Sequence, residues 1–397
     1  MYVTKHLSCC KKSPDFLSAP PPEGPNSGYL VIQDDEPIRP SCFCGSTSVT
    51  INNLPLPSNK IINFDFTNDN DRIIAVPIIN YPLSSNRYYI IKAHRKHTGE
   101  AYVCSKEEDK GISCGKSYIQ DVKPRALDPE DKYQQFEVDY STEISCTKKN
   151  NGFIVKPVVA DGHVPQFLNS LSPMKIKGST VNSIDIVLEE ANGVNSSLRN
   201  GLPSFDFNLS RGTSEPICVG KWYCPFMFIH DGKLKDQMKN SLYYEMTLEQ
   251  RWERIFTADS SYNHLGNKVM IDVAVALQDV AIGGKVAVVS EDENISDSKV
   301  VWFRTIGSVG EQRQSSVVGL SKMIVERMIW EQERVGWMNG KERQVRVVKE
   351  EDYGGIGWWV RFGCYVLVER FVLKRMDGSV VLTYDFRHIH QLKTKWE

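Results

Sequence analysis

The chain has 397 residues, of which 41% are apolar and 24% are charged. These are ordinary values for a globular protein, and they exclude a chain that is disordered throughout. Its 48 basic and 49 acidic residues give a net charge of −1, which argues against a protein that binds nucleic acid, since such proteins usually present a basic face.

No run approaches the roughly 18 apolar residues of a transmembrane span. The N-terminus lacks the apolar core of a secretory signal, so we expect a cytoplasmic protein that is not secreted, with the nucleus as the other compartment. In either place its ten cysteines would stay reduced.

Two residue types are unevenly distributed along the chain. All eight tryptophans lie at or after Trp222, whereas most of the ten cysteines lie at or before Cys146. Residues 190–215 are rich in Ser, Asn and Gly and show no periodicity. We therefore predict a β-rich N-terminal domain over residues 1–189, a linker over 190–215 and a C-terminal domain over 216–397.

The N-terminal half opens with a Pro- and Gly-rich leader and continues with short runs typical of β-strands. Turn-forming residues separate these runs, and no long helical period occurs between them. The runs begin at Tyr29, Ile61, Ile73, Tyr88, Phe136 and Phe153. We predict a compact β-rich domain with a short helix near Val164–Ser170.

The C-terminal half has a mixed pattern. Residues 245–256 alternate like a strand, yet Thr247–Gln250 has the form of a helix capping box, so helix and strand both stay open there. Further strands are predicted to begin at Val269, Lys285, Val300, Gln344 and Trp358. From Ser315 to Arg334, apolar residues three or four positions apart predict one long amphipathic helix. The expected class is α+β with mostly antiparallel pairing.

The last forty residues carry a strong hairpin signal. Asp377–Gly378 lies between two apolar, β-branched runs, and both residue types tolerate the positive φ of a two-residue turn. If Met376 pairs with Ser379, the register places Arg370 opposite Asp385, which predicts a cross-strand ion pair in a C-terminal hairpin.

Two histidines near the C-terminus resemble a metal-binding pair. His388 and His390 share one face of the predicted strand. The same register places them opposite Leu367 and Tyr365, on a face that is otherwise apolar. We therefore predict that both histidines pack in or beside the core.

Several long sequence blocks resemble one known family. The blocks include MYVTKHLS, PPPEGPNSGYLVIQD, KDQMKNSLYYEMTLEQRWERIF and RFGCYVLVERFVLKRMDGSVVLTYDFRHIHQLKTKWE. They resemble a land-plant family known as Domain of Unknown Function 1262, over essentially the whole chain. The family has no established activity, so the resemblance implies no catalytic or binding residue. It implies an intracellular plant protein associated with stress and defence.

A candidate metal set consists of His94, His97, Cys104 and Cys114. Zinc sites need four ligands in a tetrahedron, usually in pairs two to four residues apart. Only the histidine pair has such a spacing, so we expect loop thiols and no bound metal or cofactor.

The catalytic candidates are Cys224, Glu245 and Glu249. A thiolate nucleophile needs a neighbouring base, but on an extended strand His230 would lie about 20 Å from Cys224. Glu245, Glu249 and Glu253 repeat every four residues and share one face, which favours a solvated charged surface. The glycines of 353–358 lack the Lys-Ser/Thr ending of a phosphate-binding loop.

Cys9–Cys10, followed by two lysines, has the form of an acylated membrane anchor. One acyl chain binds membranes only marginally, so both thiols or the lysines would have to cooperate. We expect at most weak membrane association at this end of the chain.

Three functional hypotheses follow from these patterns. The favoured one is a non-enzymatic intracellular protein that binds other proteins in plant stress or defence, with some of its tryptophans as interface anchors. The alternatives are a hydrolase or transferase that uses Cys224 or the glutamates, and a peripheral membrane or lipid-binding protein.

Overall fold

The protein is described by a computed structural model. It describes residues 1–34, 48–64, 72–113, 116–144, 149–169, 173–179, 187–260, 267–289, 299–306, 316–338 and 343–397. Strands hold 48% of these residues, and the longest helix among them has 12 residues. The protein is therefore mostly β, and the predicted α+β class is wrong.

The strands are β1 (Tyr2–His6), β2 (Gly28–Ile32), β3 (Ser48–Ile51), β4 (Ile61–Phe64), β5 (Ile73–Pro77), β6 (Arg87–Lys92), β7 (Lys110–Ser113), β8 (Lys116–Ile119), β9 (Gln135–Ile144), β10 (Lys149–Pro157), β11 (Ile176–Ser179), β12 (Gly193–Val194), β13 (Ile217–Pro225), β14 (Ile229–His230), β15 (Tyr243–Asp259), β16 (Lys268–Ala276), β17 (Gln278–Ile282), β18 (Lys285–Val289), β19 (Val300–Thr305), β20 (Val317–Ser321), β21 (Gln344–Asp352), β22 (Arg361–Arg375) and β23 (Val380–Trp396). The α-helices are α1 (Leu7–Lys12), α2 (Asp15–Ser18), α3 (Ser196–Gly201), α4 (Leu234–Asn240) and α5 (Lys322–Glu333).

The chain divides into two compact units. Unit 1 comprises Met1–Ala191 and Pro225–Leu242, and unit 2 comprises Asn192–Cys224 and Tyr243–Glu397. Residues 190–215, predicted as a linker, include β12 and α3 of unit 2.

Unit 1 is built around a seven-stranded sheet in the order β10-β9-β6-β5-β4-β11-β3. Its core contains Ile62, Tyr88, Phe136 and Phe153, each no more than 1% exposed. β1 and β2 pair with each other in parallel. The six β-type runs predicted in this half fall in β2, β4, β5, β6, β9 and β10.

The prediction of a short helix near Val164–Ser170 is wrong, because the described residues 164–169 contain no helix. Leu168 N–H donates to the carbonyl of Pro165 in an isolated turn. The prediction failed because a segment of about six residues makes too few helical hydrogen bonds to form a stable helix on its own.

The central sheet of unit 2 runs in the order β20-β19-β18-β17-β23-β22-β15-β13, and β12 pairs with β13. β15, β22 and β23 are its longest strands, with 17, 15 and 17 residues. β15 contains all of residues 245–256, so the ambiguity there resolves as a strand. β16 and β21 pair separately as an antiparallel ribbon.

The long amphipathic helix predicted over Ser315–Arg334 is also wrong in extent. Val317–Ser321 is strand β20, paired with β19, and only Lys322–Glu333 is helical. Leu320 fits both the alternation of strand β20 and the helical period of the residues that follow it. The sequence pattern therefore joined a strand and a helix into one predicted helix.

The C-terminal hairpin forms as predicted, with two changes in register. Arg370 lies opposite Asp385, and His388 lies opposite Leu367. A register shift between Val366 and Leu367 places Lys393 opposite Tyr365, so the predicted partnership of Tyr365 with His390 is wrong.

The turn of this hairpin also differs from the expected two-residue form. Gly378 N–H donates to the carbonyl of Arg375. Of the two central residues expected to have positive φ, only Gly378 does, at +82°. The connection is therefore a three-residue loop that closes with a glycine bulge.

Candidate functional site

The three long strands of unit 2 carry charged side chains on both faces. Side chains alternate along a strand, so neighbouring residues of β22 point to opposite sides. Glu369 lies opposite Gln250 of β15 on one face, and Arg370 lies opposite Asp385 of β23 on the other.

On the first face, a buried ion cluster joins the sheet to α3 and α5. Arg199 Nε donates to Glu369 Oε1 at 2.8 Å, and Arg199 Nη1 donates to Glu331 Oε2 at 3.2 Å. Arg327 Nη2 donates to Glu331 Oε1 at 2.7 Å. These four side chains are at most 4% exposed, and their two positive and two negative charges balance.

The balance of forces on Glu369 keeps it ionised. Its burial raises the pKa, but the hydrogen bond and positive charge of Arg199 outweigh burial and lower the pKa below its ordinary value. Gln250 Nε2 donates a further hydrogen bond to Glu369 Oε1 at 2.8 Å.

His388 adjoins this buried ion cluster. Its Nε2 is 2.9 Å from Gln332 Oε1 and 4.0 Å from Glu369 Oε2. Burial lowers the pKa of His388 to about 4, although the negative charge of Glu369 acts in the opposite direction. The ring is therefore neutral near pH 7, and its packed position is the one predicted from the hairpin register.

A small cavity of about 130 Å³ adjoins the cluster and is lined in part by Gln250, Val335, His388 and Gln391. At about 30 Å³ for each water, it has room for only a few molecules of water. The neighbouring charges are already paired with each other, so the arrangement fixes α3 and α5 on the sheet and is poorly suited to binding a charged substrate.

On the opposite face, a ladder of ion pairs crosses β15, β22, β23 and β17. Asp385 accepts hydrogen bonds from Arg251 Nη2 at 2.8 Å and from Arg370 Nη2 at 2.7 Å. Arg387 continues the ladder to Glu253 and Asp279. Burial raises the pKa of Asp385, but Arg370 and Arg251 lower this pKa by more than burial raises it.

The predicted glutamates belong to this second face. Glu245 pairs with Lys221 at 2.9 Å, and Glu249 lies opposite Arg370 in the strand register. Glu253 bonds Arg251 and Arg387. The three share a face, as predicted, within an ion-pair ladder.

Cys224 lies in the interior and is 0% exposed. Burial raises the pKa of its thiol to about 11, so the sulfur is protonated and inaccessible near pH 7. A nucleophilic cysteine requires the opposite environment.

The residues of the candidate zinc set are placed in different surroundings. His94 is exposed, and His97 Nδ1 is 2.6 Å from Glu100 Oε2. Cys104 is buried in the core of unit 1, where burial raises its pKa to about 12, and Cys114 lies outside the described residues. Within the described ranges, no group of three or more His, Cys, Asp or Glu side chains is arranged to hold a metal ion.

The two N-terminal thiols differ in accessibility. Cys9 is exposed, whereas Cys10 is 2% exposed on the buried side of α1. Burial raises the pKa of Cys10. In this conformation a modifying enzyme can reach only the first of the pair.

A prominent exposed feature of unit 2 is the connection from β21 to β22, here called the apolar loop (residues 353–360). Ile356, Trp358 and Val360 are 104%, 75% and 68% exposed. A Cβ added at Gly354 or Gly357 would contact nothing within 4 Å. The loop therefore projects away from the rest of its unit.

An aromatic cluster forms the base of the apolar loop. The rings of Trp359 and Trp396 have centroids 5.2 Å apart, and those of Tyr353 and Trp396 are 5.3 Å apart. Val360 N–H donates to the carbonyl of Glu397. The base is thus fixed to β23, and only the tip stands free of packing.

From the sequence, the glycines of residues 353–358 were compared only with a phosphate-binding loop. The missed signal was apolar residues alternating with glycines, which is a poor pattern for a packed strand because glycine offers no side chain to bury.

A second exposed apolar surface lies on β18, where Val286 and Val288 are 65% and 43% exposed. These residues line part of a cavity of about 320 Å³, together with Asp279, Arg343 and Tyr384.

Residues 23–115 match the family described as Protein of unknown function (DUF1262), and the predicted resemblance is confirmed over that range. No curated protein matches the chain. The crystal structure of Cry35Ab1 is similar with a TM-score of 0.44 and 9% sequence identity, covering 86% of this chain and 90% of that one. None of the described helices has the length and hydrophobicity that a membrane crossing requires.

Proposed function

We propose that this chain is a non-enzymatic binding protein that contacts its partner through the apolar loop. The observation that carries this proposal is the exposure of Ile356, Trp358 and Val360 above a packed aromatic base. Neighbouring apolar side chains that are exposed together mark interaction sites, and large aromatics are frequent anchors of such contacts.

The proposal includes a place and a role for the protein. We place it in the plant cytoplasm, in stress or defence, on the basis of the family resemblance. Free thiols are consistent with a reducing compartment, and the cysteines described as free include Cys9, Cys104, Cys218 and Cys364.

A complementation experiment separates the binding function from the enzyme hypothesis. Plants that lack the protein would receive wild type, the loop variant I356S/W358S, or the triple variant C224A/E245Q/E249Q. We expect the loop variant to fail under stress and the triple variant to restore tolerance, because only the first removes the contact surface.

Two results would contradict the proposal. Full complementation by I356S/W358S would show that the loop is not the contact surface. Failure of the triple variant, with wild-type thermal stability and expression, would favour the hydrolase or transferase. Thermal unfolding of each purified variant excludes loss of folding as the cause.

A further inference from the structure

We infer that the partner of the apolar loop is the interface of a zwitterionic lipid bilayer, into which Ile356 and Trp358 insert. This inference rests on the proposed function, because it identifies the partner of the same loop. It does not involve the N-terminal cysteines.

The size and shape of the exposed surface favour a lipid partner over a folded protein. A standard protein interface buries about 800 Å² on each side, and one fully buried aromatic side chain contributes about 150–250 Å². Three side chains on one projecting loop do not reach the standard area. A bilayer needs no complementary surface, since its headgroups part around an apolar tip.

The aromatic base fits the depth expected for such an insertion. Trp359 and Trp396 are partly exposed below the tip, and tryptophan and tyrosine favour the level of the headgroups in membranes. A loop cannot satisfy its own backbone polar groups in hydrocarbon. Insertion is therefore shallow, with the tip at the boundary of the acyl chains and the aromatic rings among the headgroups.

The charges around the base favour neutral over anionic lipids. Lys268 pairs with Glu350 at 2.5 Å, and Lys349 pairs with Glu351 at 2.5 Å. On the other side, Arg361 Nε donates to Asp259 at 3.1 Å. These basic side chains are matched by acidic ones, so they provide no positive patch to attract anionic headgroups.

The first test is co-sedimentation of the full chain with phosphatidylcholine vesicles. Burying one large apolar side chain strengthens partitioning by roughly tenfold or more. We therefore expect I356S/W358S to bind these vesicles at least tenfold more weakly than wild type. The control is V286S, which replaces an apolar residue of β18 in the same unit that is 65% exposed and should bind like wild type.

The second test measures whether Trp358 reaches the acyl chains of the bilayer. Vesicles of brominated phosphatidylcholine quench tryptophans that reach the acyl chains. The variant W358F keeps an apolar side chain and should still bind, but it should lose most of the quenching that wild type shows. Its comparison with wild type isolates Trp358 from the seven other tryptophans of the chain.

Three outcomes would overturn the inference. They are equal binding of wild type and I356S/W358S, binding that appears only when phosphatidylserine is added, and absence of binding to any vesicle. In the last case the complementation result still decides whether the loop contacts a different partner, such as a protein or a carbohydrate.

Discussion

At the scale of single residues, Glu369 shows how one buried carboxylate connects distant parts of unit 2. It accepts hydrogen bonds from Arg199 and Gln250, which are 170 and 119 positions away in the chain. A buried charge is tolerated only when its partners satisfy it. We therefore assign the buried ion cluster a structural role, in holding α3 to the sheet.

Replacement of Arg199 by methionine should strongly destabilise the protein. R199M leaves two buried carboxylates, Glu331 and Glu369, without their central partner, and we expect a loss of about 3–5 kcal/mol in the free energy of unfolding. Urea denaturation measures this loss. R211M breaks an exposed pair with Glu215 and should change stability by less than about 0.5 kcal/mol; similar losses in both variants would refute the structural role of the cluster.

His388 should make unfolding depend on pH between about 4 and 6.5. Its pKa is about 4 in the folded protein and about 6.5 in the unfolded chain. In this window the unfolded chain binds the proton and the folded protein does not, so stability is lost as the pH falls. The titratable and charged groups that face His388 are the carboxylate of Glu369 on β22, the guanidinium of Arg199 on α3 and the imidazole of His390 on β23.

The measurement compares wild type with H388Q in urea at several pH values from 7 to 4.5. The difference between the two should change by roughly 1.4 kcal/mol per pH unit at most, and by about 3 kcal/mol over the full shift. Glu369 and Asp385 have lowered pKa values, so their contribution is lost only at lower pH. Parallel profiles for the two proteins would show that His388 titrates normally.

At the scale of elements, local sequence predicted strands well and their limits poorly. The turn before β23 is a local property, so its position followed from a few neighbouring residues. The local pattern of residues 245–256 left helix and strand both open, and pairing with β22 decides that β15 is a strand. The boundary between β20 and α5 could not be placed from neighbouring residues, because Leu320 fits both the strand period and the helical period. Pairing of β20 with β19 decides it, and that pairing depends on residues outside the segment.

The turn of the C-terminal hairpin offers a test of backbone conformation. Gly378 has φ +82°, and a Cβ added there would meet nothing within 4 Å. G378A should therefore cost about 1 kcal/mol through backbone strain alone. The control is G201A at the end of α3, where the site is equally open and alanine should be neutral or stabilising by up to about 1 kcal/mol; the same sign in both variants would refute the assigned conformation.

At the scale of the whole molecule, burial separates thiols that look alike in the sequence. Cys10, Cys104, Cys224 and Cys364 are at most 2% exposed, and burial raises the pKa of each. Because thiolates are the reactive form, buried positions should resist alkylation. Cys9 and Cys218 are exposed.

Alkylation with iodoacetamide at pH 8, followed by peptide mass spectrometry, tests this pattern. We expect label on Cys9 and Cys218 in the native protein, and label on Cys10, Cys104 and Cys224 only after unfolding in urea. Rapid native labelling of Cys224 would indicate an accessible thiolate and would revive the thiol enzyme hypothesis.

The sequence by itself determined most of the strands outside β15 and β20, the C-terminal hairpin and the inward position of His388. These follow from alternation and turn chemistry, which act over a few residues. The sequence did not determine the mostly β class. The amphipathic pattern before Arg334 predicted a helix longer than the one that forms, and this favoured the α+β class.

Only the tertiary structure decided which charges meet and which apolar residues stay exposed. Arg199 and Glu331 are 132 positions apart, and no local pattern pairs them. Trp358 and Trp359 are neighbours of the same type, yet one packs on Trp396 and the other extends outward. Burial depends on what the rest of the chain places around a residue, so the candidate contact site became visible only in the folded protein.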